Sequence, residues 1–205
     1  MTALPNHDLP PAGALARWLG RTVLRLGGWT LEGALPAGHP RLVMIAAPHT
    51  SNWDYVWMVA VAYAFGVKLH AVGKKSLFWF PLGALLRWLG LIPIDRAGKL
   101  GLVEQLAATL TAAPGMLLAI PPSGTRNKTD RWRSGFYWVA HTAKVPIVMG
   151  FLDYGRRRTG VGGLLVTTGD VHADMNVLRD FYAPMRGKDP EQESTIWLKE
   201  EGEAQ

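Results

Sequence analysis

An imidazole and a carboxylate stand five positions apart in the segment His49-Thr-Ser-Asn-Trp-Asp54. The hydroxyl and amide side chains between them are suited to capping a helix, which predicts His49 in a turn and Asp54 in the first helical turn. There the carboxylate can contact one imidazole nitrogen, fix the tautomer and stabilise the imidazolium. The other nitrogen can then take a proton from a substrate hydroxyl. The pair predicts a general base with its orienting carboxylate; a purely structural pair is the alternative.

Two arginines each follow a short apolar run. Arg96 comes after Leu91–Ile94, and Arg126 comes after Met116–Ile120. If both runs are strands that end at the same edge of a sheet, the two guanidinium groups can clamp one phosphate. For each arginine alone, an exposed surface charge is the alternative. Further hydroxyl or backbone amide donors for an anion are predicted at Ser123, Gly124 and Thr125.

Apolar runs alternate with helical patterns along the 205 residues. This alternation predicts an α/β fold with one domain, in which a mixed, largely parallel sheet is flanked by helices. The predicted strands are 41–47, 91–94, 116–120, 145–151 and 163–168, and the predicted helices are 13–29, 53–67, 100–112 and 133–144. The last strand, 163–168, is expected to run antiparallel at an edge of the sheet. We divide the chain into a tail at 1–12, a domain at 13–186 and a charged, partly disordered tail at 187–205.

The first predicted helix, 13–29, is amphipathic. Arg17, Arg21 and Arg25 recur every four residues on one side, while the other side carries apolar residues, namely Leu15, Trp18, Leu19 and Leu26. Such a helix can lie on an anionic membrane surface, with the arginines at phosphate head groups and the apolar side towards the acyl chains. Because residues 1–11 lack a signal-peptide pattern, we expect a peripheral protein on the cytoplasmic face. A helix packed on the domain with its arginines in water is the alternative.

The composition limits the classes of partner and of chemistry that we expect for this protein. The formal net charge of +6 indicates an anionic partner, and lipid head groups or a phosphorylated substrate are expected rather than nucleic acid, for which no recognition motif is found. The absence of cysteine excludes a thiol nucleophile and cysteine-ligated metals. His172 lies near Asp170 and Asp174 but without a recognised ligand spacing, so no metal site is predicted.

Four segments together resemble the glycerolipid acyltransferase family, which includes the 1-acyl-glycerol-3-phosphate acyltransferases. His49–Asp54 resembles its HxxxxD block, and the second, third and fourth motifs are matched in order by Gly90–Arg96, Pro122–Arg126 and Val145–Ile147. The resemblance covers about residues 42–149, and it extends to Phe181–Pro184.

This resemblance implies an O-acyltransferase that moves a fatty acyl group from acyl-CoA or acyl carrier protein to a hydroxyl of a lysophospholipid-like or other polar acceptor. It implies that His49 is the base, that Asp54 orients it, and that the hydroxyl attacks the thioester without an acyl-enzyme. Arg96 and Arg126 would hold the acceptor's phosphate, with Gly124 permitting close backbone approach. No cofactor is implied beyond the acyl thioester itself.

One position departs from the family. The third motif usually reads Pro-Glu-Gly-Thr-Arg, and Ser123 stands here in place of the glutamate. Three explanations stay open: an active enzyme with a different acceptor, weakened activity with retained lipid or carrier binding, and an introduced substitution. The alternative function is therefore a non-catalytic or weakly active lipid-binding protein of the membrane surface. A hydrolase with the same pair is a further alternative, although no Gly-x-Ser-x-Gly elbow is present.

Overall fold

The computed structural model describes residues 8–88, 90–94 and 101–202. Helices and strands alternate over most of this range. In chain order they are α1 Ala14–Leu26, β1 Thr30–Glu32, β2 Arg41–Ala47, α2 Trp53–Phe65, β3 Leu69–Lys74, α3 Leu82–Trp88, β4 Leu91–Ile94, α4 Leu102–Ala112, β5 Met116–Ile120, α5 Gly135–Ala143, β6 Ile147–Asp153, β7 Arg158–Leu165 and α6 Val171–Tyr182. The predicted α/β fold with an N-terminal helix is confirmed.

The seven strands form one mixed sheet in the order β1-β7-β6-β2-β5-β3-β4. β2 lies at the centre, parallel to both β5 and β6, and β3 and β4 extend the parallel part on one side. On the other side β7 runs antiparallel to β6, and β1 pairs with it in parallel. The antiparallel direction predicted for the late strand is confirmed. Its predicted place at the edge is wrong, because β1 covers it.

The sheet is buried on both faces, as its central strand illustrates. Alternate residues of β2 enter two separate cores: Val43 and Ile45 pack with α4, α5 and α6, while Leu42 and Met44 pack with α1 and α2. This follows from the alternation of side chains along a strand. Because a central parallel strand has no solvent-facing side, its sequence is continuously apolar, which is why it could be identified from sequence.

α1 packs on α2 through its small and buried positions. A Cβ atom at Gly20 would lie 2.6 Å from the carbonyl oxygen of Ala60, so the two helix backbones approach too closely for any other residue. Leu24 is buried in the same contact. The opposite side of α1 is apolar and exposed, and it consists of Leu15, Trp18, Leu19, Val23 and Leu26. Among the described residues, no helix is long and apolar enough to cross a membrane.

Residues 187–202 pack on the domain, whereas the sequence pattern indicates a partly disordered tail. Leu198 is fully buried in the core beside α6. Glu201 accepts a hydrogen bond from Arg179 at 2.7 Å, and Glu200 accepts from both Ser134 and Trp138. These contacts join residues far apart in the chain, so they leave no periodic signal in this charged segment. The division into tails and domain stays a prediction.

Candidate active site

Three strands of the sheet end where the predicted chemistry lies. His49 follows β2, the loop with Ser123 follows β5, and Tyr154 follows β6. Since β5 and β6 flank β2 in parallel, their carboxyl ends share one edge of the sheet. Open α/β sheets place ligand sites at this edge. The topology therefore brings together segments that are up to a hundred residues apart.

His49 and Asp54 meet, as their spacing predicts. The Nδ1 atom of His49 lies 3.2 Å from Oδ2 of Asp54, with the histidine side chain 11% and the aspartate 2% exposed. An ionised carboxylate only accepts hydrogen bonds, so Nδ1 carries the proton in this contact. Nε2 of the neutral ring is then unprotonated and able to act as a base.

Asp54 is held by the backbone of the turn before α2. Its Oδ2 atom accepts hydrogen bonds at 2.8 Å from the amides of Thr50 and Ser51. On the other side, Oδ1 accepts a hydrogen bond from the hydroxyl of Tyr154 at 2.7 Å. Burial by itself would raise the pKa of Asp54, but the hydrogen bonds from His49, Tyr154 and Ser51 outweigh it, and the pKa lies below the ordinary value. Asp54 is therefore ionised at neutral pH.

Tyr154 is fixed by aromatic packing behind the carboxylate. Its ring meets Trp29 edge to face at 4.8 Å, and Trp29 in turn contacts Trp57 of α2. Burial, together with the hydrogen bond to the charged Asp54, raises the pKa of Tyr154 well above its usual value. The phenol therefore remains protonated and donates a hydrogen bond to Asp54 at any physiological pH.

The loop after β5 brings Ser123 to the same place. Ser123 is 5% exposed, and its hydroxyl donates to the carbonyl oxygen of Thr125 at 2.6 Å. Gly124 has φ +67°, a left-handed conformation that favours glycine. A Cβ atom there would also lie 2.8 Å from Cδ of Arg133. The glycine is thus favoured by the turn itself, independently of any ligand.

A cavity of about 130 Å³ opens beside His49. It is smaller than pockets that enclose a whole ligand, which measure roughly 300–1,000 Å³, so it has room for part of a substrate. Five parts of the chain line it. The β2 end contributes Ala47–Thr50, the β5 end contributes Pro122 and Ser123, and the wall is completed by Trp132, Tyr182, Ala183, Met185, Arg186, Glu193, Ser194 and Ile196.

Of the two predicted phosphate-binding arginines, one lies among the described residues, and it does not line this cavity. Arg126 is exposed and is absent from the cavity lining. Arg96 lies outside the described residues. β4, the strand before it, is separated from β2 by β5 and β3. At about 4.8 Å between strands, the end of β4 is about 14 Å from that of β2. A clamp formed by these two side chains on one phosphate stays a prediction.

Sequence reasoning missed two groups at this site. Tyr154 contacts Asp54 across a hundred residues, and nothing in its own segment signals that contact. Glu193 and Ser194 in the cavity wall come from a segment that the sequence describes only as charged, and Arg186 directly precedes that segment. One signal was available: the resemblance at Phe181–Pro184 includes Tyr182 and Ala183, which both line the cavity.

Comparison with known proteins identifies relatives of this architecture. The family model described as "Acyltransferase" matches residues 31–149. Over 145 residues the chain is 30% identical to a 1-acyl-sn-glycerol-3-phosphate acyltransferase of Haemophilus influenzae, a match that spans 66% of this chain and 58% of that protein. The chain thus covers less than two thirds of this curated relative.

A solved structure shares the fold. The crystal structure of the 1-acyl-sn-glycerophosphate acyltransferase PlsC from Thermotoga maritima superposes with a TM-score of 0.57. The match covers 83% of this chain and 78% of that protein, at 14% sequence identity. At this identity the likeness concerns the fold. The range matched by the family model, residues 31–149, includes the His49–Asp54 turn and the loop of Ser123.

Proposed function

The chain belongs to the acyltransferase family, and on this premise we propose that it transfers an acyl group from a thioester to a hydroxyl of a lysophospholipid-like acceptor. The observation that carries the proposal is the buried contact between His49 and Asp54 at the mouth of a cavity. The relative from Haemophilus influenzae is named for the same kind of reaction. Acyl-CoA or acyl carrier protein is the proposed donor.

The proposed reaction uses His49 twice. Nε2 takes the proton of the acceptor hydroxyl while the hydroxyl oxygen attacks the carbonyl carbon of the thioester. Asp54 stabilises the imidazolium that forms, and it holds the ring so that Nε2 is directed to the substrate. The C–S bond then breaks, and the imidazolium returns the proton to the thiolate. The products are an ester and a free thiol, and no covalent enzyme intermediate is needed.

Anion binding near this centre remains a proposal. Arg126 and Arg96 would attract the acceptor's phosphate, with Ser123, Gly124 and Thr125 forming the turn that precedes Arg126. Arg186, which does line the cavity, supplies a further guanidinium group. Guanidinium groups suit phosphate because two of their N–H groups can donate to two phosphate oxygens at once.

We also propose that α1 docks the protein on a membrane. Its apolar side is exposed, and Trp53 and Val56 of the neighbouring helix α2 are further exposed apolar residues. Arg25 is exposed at the edge of this surface, whereas Arg21 donates to the carbonyl oxygen of Ala64 in α2. Large contiguous exposed apolar surfaces are rare on monomeric soluble proteins, and they mark contacts with membranes or partners. The cytoplasmic leaflet is the proposed location.

The test is acyl transfer by the purified protein. We expect one equivalent of ester for each equivalent of thiol released when acyl-CoA or acyl carrier protein is mixed with lysophosphatidate or other lysophospholipids. Thiol release with free fatty acid and without ester would instead identify a hydrolase. If neither product forms with any acceptor, while the protein still binds anionic vesicles, the non-catalytic lipid-binding function is supported. That second candidate is favoured by Ser123 and by the apolar surface of α1.

A further inference from the structure

The C-terminal segment 187–202 forms part of the cavity wall. The amide of Asp189 donates to the hydroxyl of Thr50 at 3.1 Å, so the segment is joined directly to the turn that holds His49. Further along, Ser194 accepts from the amide of Thr129 at 2.9 Å, which joins it to the chain after Ser123. The segment therefore bridges the loops that follow β2 and β5.

Glu193 is fixed between these two attachments. Its Oε1 atom accepts a hydrogen bond from the amide of Gly187 at 2.6 Å, and the residue is half-buried in the cavity wall. This backbone contact uses one carboxylate oxygen and holds the side chain in place. Among the described residues, the amide of Gly187 is the hydrogen-bond donor to this carboxylate. The other oxygen, Oε2, can therefore accept a hydrogen bond from a ligand.

The cavity thus has a carboxylate even though position 123 lacks one. Ser123 and Glu193 line the same cavity with His49. We propose, building on the proposed transferase function, that Glu193 is an acceptor-binding residue that accepts a hydrogen bond from a donor group on the acceptor's head group. It supplies to the site the carboxylate that Ser123 does not.

The chemistry of the cavity defines the acceptor class. Among the described lining residues, Arg186 is the cation and Glu193 the carboxylate. An acceptor that carries only an anionic phosphate beside its reacting hydroxyl is repelled by Glu193. An acceptor that also presents a hydroxyl or an ammonium group can bind both residues, its phosphate contacting Arg186 and its donor group contacting Glu193. A charged hydrogen bond of this kind contributes about 10- to 100-fold in affinity or rate.

The experiment compares E193Q with wild type on three acceptors: lysophosphatidate, which lacks the extra donor, lysophosphatidylglycerol, which has hydroxyls, and lysophosphatidylethanolamine, which has an ammonium group. Glutamine keeps a carbonyl oxygen for the amide of Gly187, so the segment stays attached. We expect kcat/KM to fall about 10- to 100-fold for the preferred donor-bearing acceptor, with the KM for the acyl thioester unchanged. The rate with lysophosphatidate should not fall, and it should rise to the extent that the charge of Glu193 repels this acceptor. E191Q, at an exposed position of the same segment outside the cavity lining, is the matched control.

The outcomes separate this inference from the function on which it rests. A loss confined to lysophosphatidylglycerol assigns Glu193 to a hydroxyl, and one confined to lysophosphatidylethanolamine assigns it to an ammonium group. If wild type is active and E193Q equals it on every acceptor, or loses activity equally on all three, the inference is overturned and the transferase function stands. If wild type transfers acyl groups to no acceptor, the proposed function itself fails.

Discussion

Replacing Asp54 with asparagine isolates the contribution of its negative charge. The amide oxygen can still accept from Thr50 and Ser51, and the side chain keeps its shape, so the turn is preserved. What is lost is the attraction between a carboxylate and the imidazolium that forms at 3.2 Å. With an effective dielectric constant of about 20, this attraction amounts to about 5 kcal/mol, or about 10³- to 10⁴-fold in rate. We therefore expect D54N to lower kcat by that factor with little change in KM.

The assay is thiol release from acyl-CoA in the presence of a lysophospholipid, measured alongside chemical denaturation. Asp174→Asn is the matched control, because Asp174 is equally buried and accepts hydrogen bonds from Tyr137 and Thr168 away from the cavity. Both variants should lose stability, and only D54N should lose the rate. If D54N is folded and stays within about tenfold of wild type, below the roughly 100-fold at which general acid–base contributions begin, the role assigned to Asp54 is refuted.

The same variant gives a test by pH. Because the pKa of Asp54 is lowered in the folded protein, its ionised form stabilises the fold at pH values above its unfolded pKa of about 4. This stabilisation is lost as the pH falls through the lower, folded pKa. The free energy of unfolding of wild type should therefore exceed that of D54N at neutral pH, and the difference should shrink below about pH 4. A difference that is constant from pH 7 to about pH 2 would contradict the assignment of a lowered pKa.

Three further predictions concern the surroundings of the site. Tyr154→Phe removes the donor to Oδ1 of Asp54, and we expect a stability loss of about 1–3 kcal/mol by denaturation together with a lower kcat; unchanged values of both would contradict the positioning role. Gly20→Ala places a Cβ 2.6 Å from the carbonyl oxygen of Ala60, and thermal or chemical unfolding should show a loss of about 1–3 kcal/mol, whereas a neutral result would contradict the close helix contact. Trp18→Glu should weaken sedimentation with anionic vesicles and leave stability unchanged; undiminished binding would exclude α1 as the docking surface.

The parts of the fold that sequence could predict are those with local signals. β2 is continuously apolar because both of its faces are buried, and α2 begins directly after a turn rich in small polar residues. The contact of His49 with Asp54 could be foreseen for the same reason, since only four residues separate them and a helix begins between them. Strand order, in contrast, depends on pairing across long separations, and the short edge strand β1 has only three residues.

The rest of the site comes from contacts that leave no local pattern. Tyr154 reaches Asp54 only because β6 lies beside β2 in the sheet. Glu193 reaches the cavity because one buried leucine, Leu198, and several hydrogen bonds hold a charged segment in place. Hydrophobic periodicity cannot reveal either arrangement, because neither rests on a repeated apolar face.

The most direct measurement of the central claim is the rate of acceptor-dependent thiol release by His49→Ala. His172→Ala is its control, because His172 is exposed on α6 and absent from the cavity lining. The account predicts that H49A, folded as judged by its unfolding transition, forms no ester above the uncatalysed background, while H172A retains the wild-type rate. Ester formation by H49A at the rate of wild type would show that the imidazole is not the base, and it would contradict the account.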